Sequence, residues 1–189
     1  MSWDPALRLD LGCGPNPSPL WTCFDKIDYG QGPANVGDIT NGGLPYPART
    51  FDLVVAHHSL QMIPYVTIRH VIGDVFRVLR PGGRFRISVP DPELAWDAYK
   101  KQDKSWFPVV DTAETSIGGK FCAYLTWYSE ARLVFTRSWL TELLLDAGFV
   151  DPRRPYLLGP DQYPVTELEG EDGLDTRREE SLYLVVSKP

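Results

Sequence analysis

The stretch from Phe51 to Pro90 constrains the fold more than any other part of the chain. Phe51–Ala56 (FDLVVA) is a mostly apolar run with adjacent valines, the pattern of a strand covered on both faces. Pro64 is suited to opening a helix, predicted over Tyr65–Leu79, where Val71, Val75, Val78 and Leu79 recur at helical spacing. Arg80–Gly83 (RPGG) predicts the end of that helix, and Gly83–Pro90 reads as the next strand. A strand, a helix and a second strand parallel to the first make a right-handed crossover, the repeating unit of an α/β sheet.

The flanking segments extend the same pattern. Leu7–Leu11 alternates apolar and polar residues before a glycine turn and reads as a strand. Cys23–Asp28 predicts a second short strand, and Asn35–Ile39 at most a very short third. Pro15–Leu20 carries three prolines, which excludes an ordinary continuous helix there. Asp91–Gln102 predicts a short helix and Asp103–Gly119 an irregular loop. Thr136 or Ser138 caps a helix running through Asp146, with Leu140, Leu143 and Leu144 inward and Gly148 ending it. Phe149–Leu158 and Ser181–Ser187 read as late strands, and the charged Glu167–Glu180 between them as a solvent-facing loop. With 189 residues, no internal repeat and no second boundary, residues 1–189 are expected to form a single domain. Its 16 glycines and 17 prolines fit a chain cut into short elements by many turns.

Charge and side-chain chemistry remove several functions. There are 25 acidic against 19 basic residues, a formal charge of −6, which gives no general attraction to a phosphate backbone. The pairs Arg153–Arg154 and Arg177–Arg178 read as solvated surface rather than a nucleic-acid track. No apolar run approaches the ~20 residues that cross a bilayer. The N-terminus lacks a basic-then-apolar secretory pattern, so a cytoplasmic, reducing compartment is expected. Three cysteines and three histidines, without HExxH spacing, supply neither a disulfide scaffold nor a metal site.

The chemistry concentrates where strands end. Asp10-Leu11-Gly12-Cys13-Gly14 closes the first strand; Gly12 and Gly14 permit close approach by a ligand, and a tight structural turn accounts for the pattern equally well. Cys13 reads as a small packing residue. Asp25, with Asp28 just beyond, places a carboxylate at the end of the second strand, where it can accept from both hydroxyls of a ribose. Gly12 and Gly14 followed by Pro17 and Ser18 do not satisfy GxGxxG, and the prolines remove the helix that would hold a pyrophosphate. A nucleoside-like ligand without diphosphate is therefore favoured over a dinucleotide, and a nucleotide-dependent oxidoreductase is disfavoured. Asp38, in Gly37-Asp38-Ile39, can accept from an adenine amino group or simply close a turn. His57, His58 and Ser59 follow the strongest strand, at the edge where open α/β folds bind ligands. Either histidine can position or deprotonate a substrate there, or serve only a loop hydrogen bond.

Taken together, LDLGCG (Leu9–Gly14), FDKID (Phe24–Asp28), GDI (Gly37–Ile39), FDLVVAHHSLQMIP (Phe51–Pro64) and RVLRPGGRFRISVPD (Arg77–Asp91) resemble the class I S-adenosylmethionine-dependent methyltransferases. The likeness is strongest to the type 11-like group. LTELLLDAGF and LYLVVSKP resemble that family's final helix and strands. The resemblance implies a Rossmann-like α/β fold with a mostly parallel seven-stranded sheet, order 3-2-1-4-5-7-6, and flanking helices. It implies S-adenosylmethionine as cofactor, with Asp10, Gly12, Cys13 and Gly14 in the cofactor loop and Asp25 on the ribose. Asp28 is its neighbour, Asp38 and Ile39 stand at the adenine, and His57 faces cofactor or substrate.

Departures from the family narrow the reaction. The chain starts almost at its first strand, so the N-terminal helices that many members use as a substrate lid are expected to be absent. PNPSPL shortens one flank of the cofactor pocket. AHHS replaces the NPPY-like signature of many adenine- and glutamine-amino methyltransferases, and no cysteine is arranged for cytosine methylation. Residues 91–135 read as a substrate-side insertion rich in aromatics, some of which close a subcore. Its segment Thr126–Arg132 (TWYSEAR) mixes rings with charge, making Tyr124, Trp127, Tyr128 and Arg132 the candidate substrate contacts. Arg132 either holds an acidic group or pairs with Glu130. The expected activity is methyl transfer to an oxygen or nitrogen of a small or conjugated metabolite, with His57 or His58 as base and no metal. The alternative is a noncatalytic cofactor-binding or interaction subunit, completed by a protein partner or a second copy.

Overall fold

A computed structural model describes residues 7–17, 21–30, 35–107, 115–127, 129–153 and 180–189. Chain order is β1 (Arg8–Leu11), β2 (Thr22–Asp25), β3 (Asn35–Val36), α1 (Ile39–Gly42), β4 (Phe51–His57), α2 (Ile68–Val78), β5 (Leu79–Pro90), α3 (Pro92–Lys100), α4 (Ile117–Leu125), α5 (Arg137–Asp146), β6 (Val150–Arg153) and β7 (Ser181–Ser187). The strands form one sheet in the order β3-β2-β1-β4-β5-β7-β6, as the resemblance implied. Pairs β1–β2, β2–β3, β1–β4 and β4–β5 are parallel, whereas β7 runs antiparallel to both β5 and β6.

Period-2 alternation decides which side chains meet the helices. Leu9 and Leu11, Val54 and Ala56, Phe85, Ile87 and Val89, and Leu182, Leu184 and Val186 enter one core with Val71, Ile72, Val75 and Val78 of α2 and Leu140, Leu143 and Leu144 of α5. Each fully buried aliphatic chain contributes roughly 1.5–3 kcal/mol. Trp21, Cys23, Leu53 and Val55 form a separate buried cluster. A third cluster joins Ala95 and Ala98 of α3 to Phe107 and Tyr124, with Trp106, Phe121 and Trp127 packed against it.

Several boundaries differ from the sequence reading, each for a local reason. β2 stops at Asp25 rather than Asp28, because the Asp25 carboxylate accepts from the Ile27 N–H at 3.0 Å and turns the chain. β3 covers only Asn35–Val36; Asp38 caps α1 by accepting from the Thr40 N–H at 2.9 Å, so Ile39 is helical. α2 begins at Ile68, after a turn closed by the Thr67 N–H on the Pro64 carbonyl at 3.0 Å. RPGG ends α2 but already belongs to β5, absorbed as a bulge where the register jumps from Phe51–Leu79 to Leu53–Arg84. α4 starts at Ile117, capped by Ser116 Oγ accepting from Gly119, so the predicted loop ends earlier than Gly119. Asp91 caps α3 and Thr136 caps α5. The predicted continuation of β6 to Leu158, Arg154, the Arg177–Arg178 pair and all of 167–180 except Glu180 lie outside the described residues.

The glycine- and proline-rich entry to β4 is fixed by one charged cluster. Asp74 accepts from the Leu44 N–H at 2.5 Å and from Arg77 Nε at 2.5 Å, while Arg77 donates to the Leu44 and Tyr46 carbonyls at 2.9 and 2.7 Å. Charge-assisted bonds of this kind are worth about 1.5–3 kcal/mol each. Asp74→Ala is expected to lower unfolding free energy in urea by about 2–4 kcal/mol. Asp52→Ala, removing an exposed pair with Arg80 at 3.3 Å, should lower it by less than ~1 kcal/mol.

Candidate active site

The sheet order reverses between β1 and β4, and the carboxyl ends of these strands open a crevice. A cleft of about 740 Å³ lies there, lined by residues from β1, β2 and β4 and the turns after them. Most of the sequence-derived candidates meet in it: Asp10, Gly12, Cys13, Gly14, Asp25, Asp38, Ile39, His57, His58, Trp127 and Arg132 all line its walls.

The glycine turn is shaped by β2. Gly12, at φ +80°, donates its N–H to the Phe24 carbonyl at 2.7 Å. Gly14, at φ +66°, donates to Asp25 Oδ2 at 2.9 Å. Asp25 thus organises the loop and lines the cleft with acceptor positions to spare, since a carboxylate offers about four. Cys13 packs beside Cys23, and contact between the two sulfurs together with burial pushes its thiol pKa far up, which fits a packing role. Asp10 is 5% exposed; burial raises its carboxyl to about 7, against a lowering by His57 and a further rise from Asp25.

Asp38 has the opposite environment. Lys26 Nζ lies 2.8 Å from its Oδ2, and Thr40 donates through both N–H and Oγ to Oδ1. These bonds, that with Lys26 foremost, hold its carboxyl at about 2. The pair joins the ends of β2 and β3 along the cleft floor.

The two histidines differ. His58 is buried at φ +46°, and its Nε2 lies 2.8 Å from Ser181 Oγ. Its ring lies 5.2 Å from that of His57 and 5.5 Å from that of Trp127. His57 is half-buried at the end of β4, on the side where it acts electrostatically on Asp10.

Two candidates stand elsewhere. Asp28 is exposed, accepts from the Gly30 N–H at 2.8 Å, and is not part of the lining. Tyr124 is fully buried in the aromatic cluster; its hydroxyl donates to the Glu180 carbonyl at 2.6 Å and accepts from the Asp91 N–H at 3.0 Å. It seals the junction of β5, β7 and α3 rather than facing the cleft, because a buried phenol must satisfy its hydroxyl. Tyr128 lies outside the described residues. Lys26, Tyr29, Ser59 and Met62, to which the sequence assigned no site role, also line the cleft. Ser59 was readable from its place after the strand, and it ties β4 to β1 by donating to the Leu11 carbonyl at 2.6 Å; the others had no local signature. Among the described residues, no His, Cys, Asp and Glu group could hold a metal ion, and no helix is long and apolar enough to cross a membrane.

The family model described as a methyltransferase domain matches residues 9–87, the span holding the glycine turn, the acids and the first crossover. Over this span the chain is similar to that methyltransferase domain family. A curated relative, "Probable methyltransferase PMT16" of Arabidopsis thaliana, is 39% identical over 80 residues, or 42% of this chain. This chain spans only 12% of that protein's length. Among solved structures, a SAM-dependent methyltransferase from Archaeoglobus fulgidus superposes with a TM-score of 0.61 at 11% identity, covering 96% of this chain and 85% of the other. One from Thermotoga maritima gives 0.60 at 15% identity, with 96% and 82% covered. The Haloferax volcanii methyltransferase complex with its Trm112 activator gives 0.55 at 17% identity, with 96% and 82% covered. These likenesses show that the methyltransferase fold extends beyond β5 through the antiparallel β7.

Proposed function

We propose that the chain binds S-adenosylmethionine in the cleft and transfers its methyl group to an oxygen or nitrogen of a small or conjugated metabolite. The observation that carries this reading is the convergence of Gly12, Gly14 and Asp25 at the strand-order reversal, with Asp38 and Ile39 across the floor. The residues fit such a group: Gly14 opens onto free space where a Cβ would project, and Asp25 keeps acceptor capacity for two ribose hydroxyls. When bound, the cofactor supplies a methyl group already activated on a sulfonium. The protein's part is placement and exclusion of water. Asp10 would set a negative charge near the cationic end of the ligand, and Ile39 an apolar cover for the base. His57, at the cleft end of β4, is the acceptor-facing candidate for taking up a proton; His58 supports the wall through Ser181.

Calorimetric titration with S-adenosylmethionine and S-adenosylhomocysteine tests the reading. Both should bind folded wild-type protein, and Asp25→Ala should weaken them by about 150- to 25,000-fold, equivalent to two charge-assisted hydrogen bonds of about 1.5–3 kcal/mol each. Failure of well-folded wild type to bind either compound would sink the assignment.

A second reading is favoured by the open flank beside the glycine turn, where no helix stands between β1 and β2 among the described residues. In it, the chain is a noncatalytic or incomplete subunit that a protein partner completes, as the Haloferax methyltransferase is found with an activator. Cofactor binding without turnover, with turnover restored by a partner, would select it.

A further inference from the structure

The turn between α4 and α5 is built under strain at the mouth of the cleft. Trp127 has φ +45° and Ser129 φ +80°, and His58 on the facing wall has φ +46°. Left-handed backbone costs a non-glycine residue about 1–2 kcal/mol, so these three instances, two of them in the cleft lining, persist only where other bonds over-determine them. Those bonds are present. The Glu130 N–H donates to the Trp127 carbonyl at 3.1 Å and the Ala131 N–H to the Thr126 carbonyl at 2.9 Å. The Arg132 and Leu133 N–H groups both donate to the Gln61 carbonyl, at 2.8 and 3.1 Å. Gln61 Nε2 in turn donates to the His58 carbonyl at 2.8 Å. Gln61 therefore clasps Arg132 and Leu133 to the end of β4.

The turn presents Trp127, Glu130 and Arg132 to the cleft. The cleft's charges are otherwise allotted. Asp10 and Asp25 stand at the glycine turn, and Lys26 is committed to Asp38. Arg132 forms no ion pair with Glu130, nor with any other carboxylate among the described residues. It is exposed, its backbone is pinned, and among the described residues its charge is uncommitted. Beside it, Trp127 offers a ring held against His58 and Tyr124, at 5.5 and 5.6 Å. The volume of about 740 Å³ leaves room for a second ligand next to a nucleoside-sized one.

The geometry points to an acceptor subsite for a planar ring acid: a carboxylate on Arg132, the ring against Trp127, and a hydroxyl or amino group of the same molecule directed into the cleft. A guanidinium fork matches a carboxylate in two parallel hydrogen bonds, which gives orientation as well as attraction. A ring on Trp127 has few torsions to lose. Glu130 disfavours a diffuse polyanion and accepts from a hydrogen-bond donor. The name acceptor subsite rests on the methyl-transfer reading; the anion preference does not.

The test is a calorimetric series with 4-hydroxybenzoate, its amide 4-hydroxybenzamide, 4-hydroxybenzylamine and 4-hydroxycyclohexanecarboxylate. Wild type, Arg132→Gln and Arg132→Glu are each titrated with and without S-adenosylhomocysteine. Wild type should bind the aromatic carboxylate at least about ten-fold more tightly than the amide and more tightly than the non-planar acid. Arg132→Gln should erase the carboxylate preference, and Arg132→Glu should turn it toward the amine. Affinity for S-adenosylhomocysteine should be the same in all three proteins. Equal binding of acid and amide by wild type, or a preference that survives in Arg132→Gln, overturns the inference. So does a matching loss of S-adenosylhomocysteine affinity, which would assign Arg132 to the cofactor's own carboxylate. If the non-planar acid binds as tightly as the aromatic one, the ring requirement falls. Carboxylate selectivity that depends on Arg132, in a protein that does not bind S-adenosylhomocysteine, would uphold the anion subsite and reject the methyl-transfer reading.

Discussion

Gly12→Ala should unfold at a much lower urea concentration than wild type and lose S-adenosylhomocysteine binding. Two independent effects act at this position. The backbone lies at φ +80°, and an added Cβ would fall 2.4 Å from Ser59 Cβ. Ser59 cannot swing aside freely, because its Oγ donates to the Leu11 carbonyl at 2.6 Å and it joins β4 to β1 at the strand-order reversal. Left-handed strain and forced overlap together are expected to cost about 2–5 kcal/mol. Gly14→Ala is the control that separates them. It has a similar φ of +66° but nothing within 4 Å of the added Cβ, so it should lose only about 1–2 kcal/mol. Comparable destabilisation of the two variants in urea titrations would show that contact with Ser59 does not matter.

Asp10→Asn should stabilise the ligand-free protein, and only above mildly acidic pH. Burial raises the Asp10 carboxyl from 3.8 to about 7 in the folded chain. A raised carboxyl means that the folded state holds its proton more tightly than the unfolded state. The group's contribution to stability is then full below about pH 4, falls as pH rises between 4 and 7, and is constant above. A shift of this size corresponds to roughly 4 kcal/mol. Asparagine keeps a neutral side chain at every pH, so the variant should match wild type near pH 4 and exceed it by a few kcal/mol at pH 8. The same substitution should weaken S-adenosylmethionine more than S-adenosylhomocysteine, since only the former carries a sulfonium charge for an ionised Asp10 to stabilise. Unfolding curves from pH 4.5 to 8.5 read the first effect and paired titrations at pH 8 the second. A stability difference independent of pH would refute the assigned state of Asp10.

Some of this site was legible in the chain because its signals are local. Glycine is needed where φ is positive, and a carboxylate at a strand end is visible in any register, so Asp10, Gly12, Gly14, Asp25 and Asp38 could be picked out. Asp25 and Asp28 looked alike in sequence, and the fold separated them: the first turns into the cleft and holds Gly14, the second closes a surface turn on Gly30. Tyr124 and Trp127, three positions apart, looked equally suited to a substrate. A buried hydroxyl with two backbone partners fixes Tyr124 in the subcore, whereas Trp127 reaches the cleft wall.

The sequence by itself determined the parallel crossover and the acidic and glycine-bearing loops, which follow from periodicity and short-range backbone requirements, while the sheet order was implied only by its resemblance to a family. Tertiary structure alone decided what depends on distant segments meeting. It buried Asp10 and raised its carboxyl, drew Lys26 onto Asp38, and bound His58 to Ser181, more than a hundred residues away in the chain. It also clasped the Trp127–Arg132 turn to β4 through Gln61. Burial and pairing are properties of the packed chain, so neither the charge state of Asp10 nor whether Arg132 pairs with Glu130 can be read from spacing.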